Sequence, residues 1–299
     1  MKKDVTPLVS VIVTTFNRKQ LLKETIDSIL LQTFTNLELI VVDNYSDYNF
    51  IEYCKSFDDI RIKPYQNQNN DIIAINRNFG IKKAKGAFLA FCDDDDYWHK
   101  NKLSIQIEHL KNNSNIIAVS SNAHLFGKTN RLKRPELDHD TLLGFGNIIE
   151  LKSNIFSSLM INKGDFTFDE SQEMKFAEDF EFSMQLVQKS GKLIKLLARP
   201  LVYYRTHNTN NVVDFNNSKN SINAINNYKV HIPSNSLKKL YFNTYSNIGT
   251  LGLKEKHNES RKYLLKALKH RIDFKVVILL LISILPFYLR KLVAKSIYN

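Results

Sequence analysis

Cysteine is nearly missing from these 299 residues: only Cys54 and Cys92 occur. They lack the CxxC spacing of a zinc or redox site and fall far below the density of a disulfide scaffold, so a reducing compartment is the simpler reading. No apolar run reaches the roughly 20 residues that a membrane-spanning helix needs. The most apolar stretch, Val276 to Leu289, is shorter than that and is interrupted by Pro286. The first apolar run follows Pro7, is short and has no small-residue cleavage site behind it, so it reads as a strand rather than a signal peptide. Internal repeats are absent. Acidic residues are the minority charge, 30 Asp+Glu against 42 Lys+Arg, for a formal net charge of +12. That balance points to an anionic partner such as a phosphorylated substrate or an acidic lipid headgroup.

What is present is the composition of a folded globular protein, 43% hydrophobic and 24% charged, which excludes disordered and fibrous classes. The length suits one large α/β domain with an appendage. From Leu8 to Thr15 a Val/Ile-rich run predicts a strand buried on both faces. Asn17 with Gln20 forms a capping-box pattern ahead of a helix carrying Leu21, Leu22, Ile26 and Ile29. The alternation continues with a strand at Leu37 to Val42, a helix around Phe50 to Phe57 and a short strand at Arg61 to Lys63. A helix from Ile72 to Ala84, closed by Gly86, and a strand at Ala87 to Cys92 follow. Strands alternating with helices predict a doubly wound, mostly parallel sheet, whose ligands bind outside the carboxyl ends of the strands. Thr14, Thr15, Asn17, Asp43, Asn44 and the run Asp93 to Asp96 close those strands and are expected to converge there. Beyond Asn115 mixed strands are expected, with a helix at Phe176 to Val187 and strand segments from Leu193 to Arg205 broken by Pro200. Helices near Leu237 to Ile248 and Ser260 to Lys269 come next.

Four consecutive aspartates after a buried strand repel one another unless a cation offsets them. Carboxylate oxygens suit Mg2+ or Mn2+, which are usually held by one or two carboxylates plus substrate phosphates. The alternative is a solvated loop with Asp96 capping the next helix.

At this point the chain resembles the family 2 glycosyltransferases of the GT-A fold. The segments VSVIVTTFNR, LELIVVDNYSD, INRNFGIKKAKGAFLAFCDDDDYW and AEDFEF stand in that family's order over residues 7 to 207. The resemblance implies an inverting transfer from a nucleotide-sugar, UDP being the commonest carrier, to a saccharide acceptor. Asp95 is then a metal ligand, Asp93 a ribose or metal contact and Asp94 a further donor-binding residue; the continuous run leaves the register open by one. Thr14, Thr15, Asn17 and Asp43 line the base and ribose pocket, and Arg77 faces the base or diphosphate. Asp179 is the general base, with Glu181 its rival by spacing and a macrodipole-favoured helix start the structural alternative. Arg205 and His207 of YYRTH resemble an element that reaches diphosphate and metal. Trp98 resembles an aromatic that meets a sugar, although core packing explains a tryptophan equally well. One departure is plain: where the family reads DDGS this chain has Asp43, Asn44, Tyr45 and Ser46, a bulky ring in place of glycine.

The expected organisation is a catalytic domain over 1–215, with a nucleotide half to about 110 and an acceptor half after it. A helical extension over 216–299 carries a candidate membrane-interface segment at 276–295. Basic residues flank that segment, which suits an interfacial helix on anionic lipid, a lipid-linked acceptor and a peripheral place on the inner face of the cell membrane. A helix docked on the catalytic domain or in a homo-oligomer interface is the alternative. Nucleic acid is not expected, since the lysines are scattered and the aspartate run repels phosphate. The rival activities are an inactive nucleotide-sugar binder and a nucleotidyltransferase, the latter opposed by the lack of a glycine-rich phosphate loop.

Overall fold

The computed structural model describes residues 7–152, 155–207, 214–255 and 257–284. Its strands are β1 (Val9–Thr15), β2 (Leu37–Asp43), β3 (Ile62–Gln66), β4 (Phe88–Asp93), β5 (Tyr97–Trp98), β6 (Ile116–Gly127), β7 (Arg131–Leu132), β8 (Thr141–Leu143), β9 (Met160–Asn162) and β10 (Leu193–Thr206). Between them lie helices α1 (Lys19–Leu30), α2 (Phe50–Lys55), α3 (Ile73–Lys83), α4 (Lys102–Asn112), α5 (Ile148–Lys152) and α6 (Glu178–Ser190). The strands form one sheet in the order β3-β2-β1-β4-β9-β6-β10-β5, with β7 on β6 and β8 on β10. Strands β3, β2, β1 and β4 pair in parallel, and β9 runs against both β4 and β6. Every residue of β1 and β2 is buried, which is why their centres, Val11 to Val13 and Leu39 to Val42, are continuous apolar runs rather than alternating ones. The order reverses between β1 and β4, so a crevice opens at the carboxyl ends of those two strands.

Three local expectations are corrected. Helix α1 starts at Lys19 with Arg18 as an N-cap whose side chain makes no capping hydrogen bond; Asn17 sits at φ 53 and bonds a neighbouring loop instead. Gly86 does not close α3, whose last cap is Ala84 in extended conformation. A Cβ at Gly86 would stand 2.6 Å from the Ser10 nitrogen and 2.8 Å from the Val9 carbonyl carbon, so glycine is there for close backbone approach to β1. Pro200 does not break β10, because the strand absorbs it in register shifts between Leu197, Pro200 and Val202 against β6, as a bulge permits.

Packing divides the chain into two compact units, residues 145–149 and those from 212 onward forming the second. That second unit holds α7 (Phe215–Ser218), α8 (Asn220–Tyr228), α9 (Ser234–Lys254), α10 (Ser260–His270) and α11 (Phe274–Ile282). Phe242, Leu264, Ala267, Val276 and Leu279 make one of its cores, and Phe215, Ile248 and Tyr263 another. Charge is divided as sharply as packing. Residues 1–213 carry 27 Lys+Arg against 26 Asp+Glu, whereas 214–299 carry 15 against 4. Among the described residues no helix is long and apolar enough to cross a membrane. The expected interface segment 276–295 is described only as far as 284; its remainder lies outside the described residues.

Candidate active site

The parallel register sets the site. Thr15 pairs with Asp43 across β1 and β2, Thr14 pairs with Asp93 across β1 and β4, and Gln66 pairs with Asp43 across β2 and β3. The polar residues expected to converge at the strand ends therefore do so. Asp43 is fully buried and accepts hydrogen bonds from the Ser46 amide at 2.9 Å, the Ser46 hydroxyl and Gln66 Nε2 at 3.1 Å. Tyr45 adopts φ 58, the left-handed conformation that glycine takes without cost. Its ring is 59% exposed, beside Phe16, Asn44, Gln68, Asn70 and Asp71 in an open surface pocket. Asn17 ties the two loops together: its backbone N–H donates to Ser46 Oγ and its side-chain Oδ1 accepts from the Asp47 backbone N–H, both at 2.8 Å.

The four aspartates split into two pairs. Asp94 and Asp96 are buried at 5% and 1% exposure. Asp94 Oδ2 accepts from Thr15 Oγ1 at 2.7 Å and Oδ1 from Arg18 Nη1 at 3.0 Å; burial nevertheless pushes its carboxyl up to about 6. Asp96 Oδ1 accepts from the Arg205 amide at 2.8 Å, and burial holds this carboxyl well above the usual range. Asp93 and Asp95 instead face the crevice, the Asp93 side chain keeping 32% of its surface. Asp95 Oδ2 lies 2.9 Å from Arg18 Nη1 and 2.8 Å from His207 Nε2. The alternation puts the open carboxylates two residues apart.

Arg18 belongs to the site although sequence reasoning assigned it nothing. It bridges Asp94 and Asp95; burial opposes its charge, but those two carboxylates outweigh the opposition and raise its pKa. The available signal was a basic residue just past the β1 end, inside a motif already singled out. Ser157 was missed as well: its hydroxyl accepts from the Asp93 amide at 3.0 Å, and no local pattern marks it.

Arg77, buried in α3, reaches across the crevice. Nη1 donates to Asp179 Oδ1 at 2.5 Å and lies 3.5 Å from Glu178 Oε1, while Nη2 lies 3.2 Å from Asp93 Oδ1. The guanidinium lies 4.1 Å from the Phe156 ring centroid and 5.4 Å from that of Phe168, which fixes its plane. Burial works against its charge, but Asp179, Asp93 and Glu178 together raise its pKa. Asp179 stands in the first turn of α6. Burial first, then Glu178 and Asp93, push its carboxyl up to about 7 against the pull of Arg77. Its side chain keeps 43% of its surface, so solvent moderates that rise. Glu178 is raised by burial too, and Glu181 is buried at 5% exposure.

Arg205 is committed to the acidic loop. Nε donates to the Asp95 carbonyl at 2.9 Å, Nη2 pairs with Glu24, and the group lies over the Phe126 ring. Trp98 is a core residue, 4% exposed, donating from Nε1 to the Ser157 carbonyl at 2.9 Å. Among the described residues no cluster of three or more His, Cys, Asp or Glu side chains is gathered for a metal. Asp95 Oδ2 and His207 Nε2, 2.8 Å apart, are donor types that would suit a divalent ion such as Mg2+ or Mn2+. Such an ion would draw its other ligands from substrate phosphates and water.

A profile of the family described as "Glycosyl transferase family 2" matches residues 10–171. The chain is 42% identical over 107 residues to a UDP-Glc:alpha-D-GlcNAc-diphosphoundecaprenol beta-1,3-glucosyltransferase, WfgD, of Escherichia coli, covering 36% of this chain and 42% of that protein. It is 33% identical over 145 residues to WfaP of the same species, a protein of the same printed activity, covering 47% and 57%. The matches thus span about half the length of these relatives. In fold, Staphylococcus aureus TarS in complex with UDP-GlcNAc superposes at TM-score 0.59 and 16% identity, covering 88% of each chain. The Pyrobaculum calidifontis mannosyltransferase PcManGT, in complex with GDP-Man and Mn2+, superposes at 0.57 and 16% identity, covering 93% of this chain and 79% of that one. The fold is therefore GT-A, a mixed α/β sheet with a helical C-terminal region. The family profile takes in β1 through β9 with the acidic run and Arg77, and the chain belongs to glycosyl transferase family 2.

Proposed function

We propose that this protein is an inverting glycosyltransferase that moves a sugar from a nucleotide-sugar, a UDP-sugar by preference, to a hydroxyl of a lipid-linked saccharide during surface polysaccharide synthesis. The observation that carries the reading is the bridge made by Arg77 between Asp93 of the acidic run and Asp179 at the start of α6. One buried cation links the donor-side carboxylate to a carboxylate whose pKa burial raises toward neutrality, the direction that suits a general base.

In the proposed reaction Asp179 takes the proton of the acceptor hydroxyl as its oxygen bonds to the anomeric carbon. The bond from that carbon to the nucleoside diphosphate breaks on the opposite face, which inverts the configuration. Thr14, Thr15, Asn17 and Asp43 form the base and ribose side of the crevice. Arg77, with Arg18 and Arg205 behind the acidic loop, keeps Asp93, Asp94 and Asp95 ordered and partly neutralised. Asp95 and His207, with Asp93, would hold Mg2+ or Mn2+, which when bound supplies positive charge against the departing diphosphate. The UDP-glucose and lipid-linked substrates named for WfgD and WfaP support the donor and acceptor assignments. The domain reading follows: a catalytic domain over 1–215 and a helical extension over 216–299, with the chain working peripherally at the inner face of the membrane.

The test is a release assay with several UDP-, GDP- and dTDP-sugars, each with Mn2+, Mg2+ or EDTA, read as free nucleoside diphosphate. Release from one donor that is lost with EDTA and in Asp95→Ala supports the reading. Binding of a donor without release or transfer, even with a lipid-linked acceptor present, would instead support the inactive binder.

A further inference from the structure

Apart from Lys275 in its first turn, helix α11 is wholly apolar. One side, Val276, Leu279 and Ile282, packs into its own unit at 2 to 7% exposure. The other side repeats at helical spacing through Phe274, Ile278 and Leu281 and continues to Ile284; Phe274 is 80% exposed, Leu281 59% and Ile284 60%. Ile272, just ahead of the helix, is 86% exposed, and Leu265 on α10 is 47% exposed. A surface helix normally shows polar residues on its outer face, and a two-sided apolar helix implies a second apolar surface to meet.

Charge selects the occupant. Lys262 and Lys269 lie on the exposed side of α10 with Leu265, Arg271 precedes α11 and Lys275 stands in its first turn, all exposed. They belong to the segment 214–299, whose 15 basic against 4 acidic residues account for nearly all of the chain's +12, while residues 1–213 are close to neutral. A second copy of this chain seated on the face would bring two such cationic segments together. An anionic surface brings opposite charge instead and releases that repulsion.

We infer that the outer face of α11, with the basic residues of α10 and the α10–α11 turn, docks on an anionic lipid bilayer. Phe274, Leu281 and Ile284 enter the boundary between headgroups and acyl chains, and Lys262, Lys269, Arg271 and Lys275 meet the lipid phosphates. This deepens the peripheral placement proposed above and is independent of which sugar is moved.

Flotation of the full chain with phosphatidylcholine vesicles, with and without phosphatidylglycerol, tests it. Binding is expected only with phosphatidylglycerol, falling steeply as salt is added. A Phe274→Ser/Leu281→Ser variant, changed only at exposed positions, is expected to bind about tenfold more weakly or worse, with unaltered circular dichroism and donor release. The inference is overturned if the native chain ignores phosphatidylglycerol vesicles, or if the variant floats as well as the native chain. It is overturned too if sedimentation shows a native dimer that the variant dissociates, since the face would then belong to a second copy. Donor release measured without vesicles reads the catalytic proposal separately.

Discussion

Arg77 Nη1 lies 2.5 Å from Asp179 Oδ1, joining a residue of α3 to the first turn of α6, 102 positions later in the chain. The pair is held in place by its surroundings: Phe156 and Phe168 flank the guanidinium and Asp93 takes its other arm.

Replacing Arg77 with Gln should therefore alter chemistry and stability together. Without the cation, the mutual repulsion of Asp93, Glu178 and Asp179 drives the Asp179 carboxyl above its value of about 7. The acidic limb of the kcat profile moves to higher pH, and kcat near neutrality falls by about 10²-fold or more. Removing one partner of a buried pair costs about 3–5 kcal/mol, discounted here because Asp179 is partly exposed. A pH–rate profile alongside a thermal melt checks both; an unmoved acidic limb means Arg77 does not set the titration of Asp179.

Arg18 is a cation within bonding distance of Asp94 and Asp95. In Arg18→Gln the acidic loop loses that offset, and a divalent ion becomes its replacement. The variant should melt below the native chain in EDTA and recover more on Mn2+ addition than the native chain gains, because a ligand stabilises the state that binds it. Equal Mn2+ shifts in the two proteins would contradict this.

Lys102 is fully buried, its Nζ donating to Gln106 Oε1 at 2.8 Å and lying 3.8 Å from the Trp98 ring centroid. Burial lowers its pKa from 10.5 to about 7. Between those values the unfolded chain binds a proton that the folded chain does not, so this residue's contribution to stability rises with pH from about 7 to about 10.5. Below pH 7 both states are protonated and the contribution is flat. Lys102→Met should remove that rise, read as a smaller difference between melting temperatures at pH 7 and pH 9. A difference equal to the native one refutes the assignment.

The parts of the fold written in single residue runs were legible. Strands β1, β2 and β4 are buried on both faces and so spell themselves as Val/Ile/Leu/Phe stretches, and their polar ends meet because parallel register aligns them. The two-residue strands β5 and β7 are too short for any period to show, and β10 hid a bulge behind Pro200. Asn17 satisfied a capping pattern, yet at positive φ its backbone N–H meets Ser46 and its side-chain oxygen meets Asp47. In the site, the acidic run could be found by repulsion alone. The division of labour within it could not, because it depends on Thr15, Arg18, Arg205 and His207 arriving from 76 to 112 positions away. The charge of residues 214–299 was readable by simple counting, but its meaning came with the unit boundary and the exposed side of α11.

The most direct measurement compares native protein with Asp179→Asn, using the donor that gives release and a lipid-linked acceptor, with transfer rate and donor affinity measured separately. The account predicts a kcat lower by about 10²- to 10⁴-fold, as loss of a general base gives, with donor affinity within about threefold and native product of inverted configuration. Transfer near the native rate in the variant, or a product that keeps the donor's anomeric configuration, contradicts it.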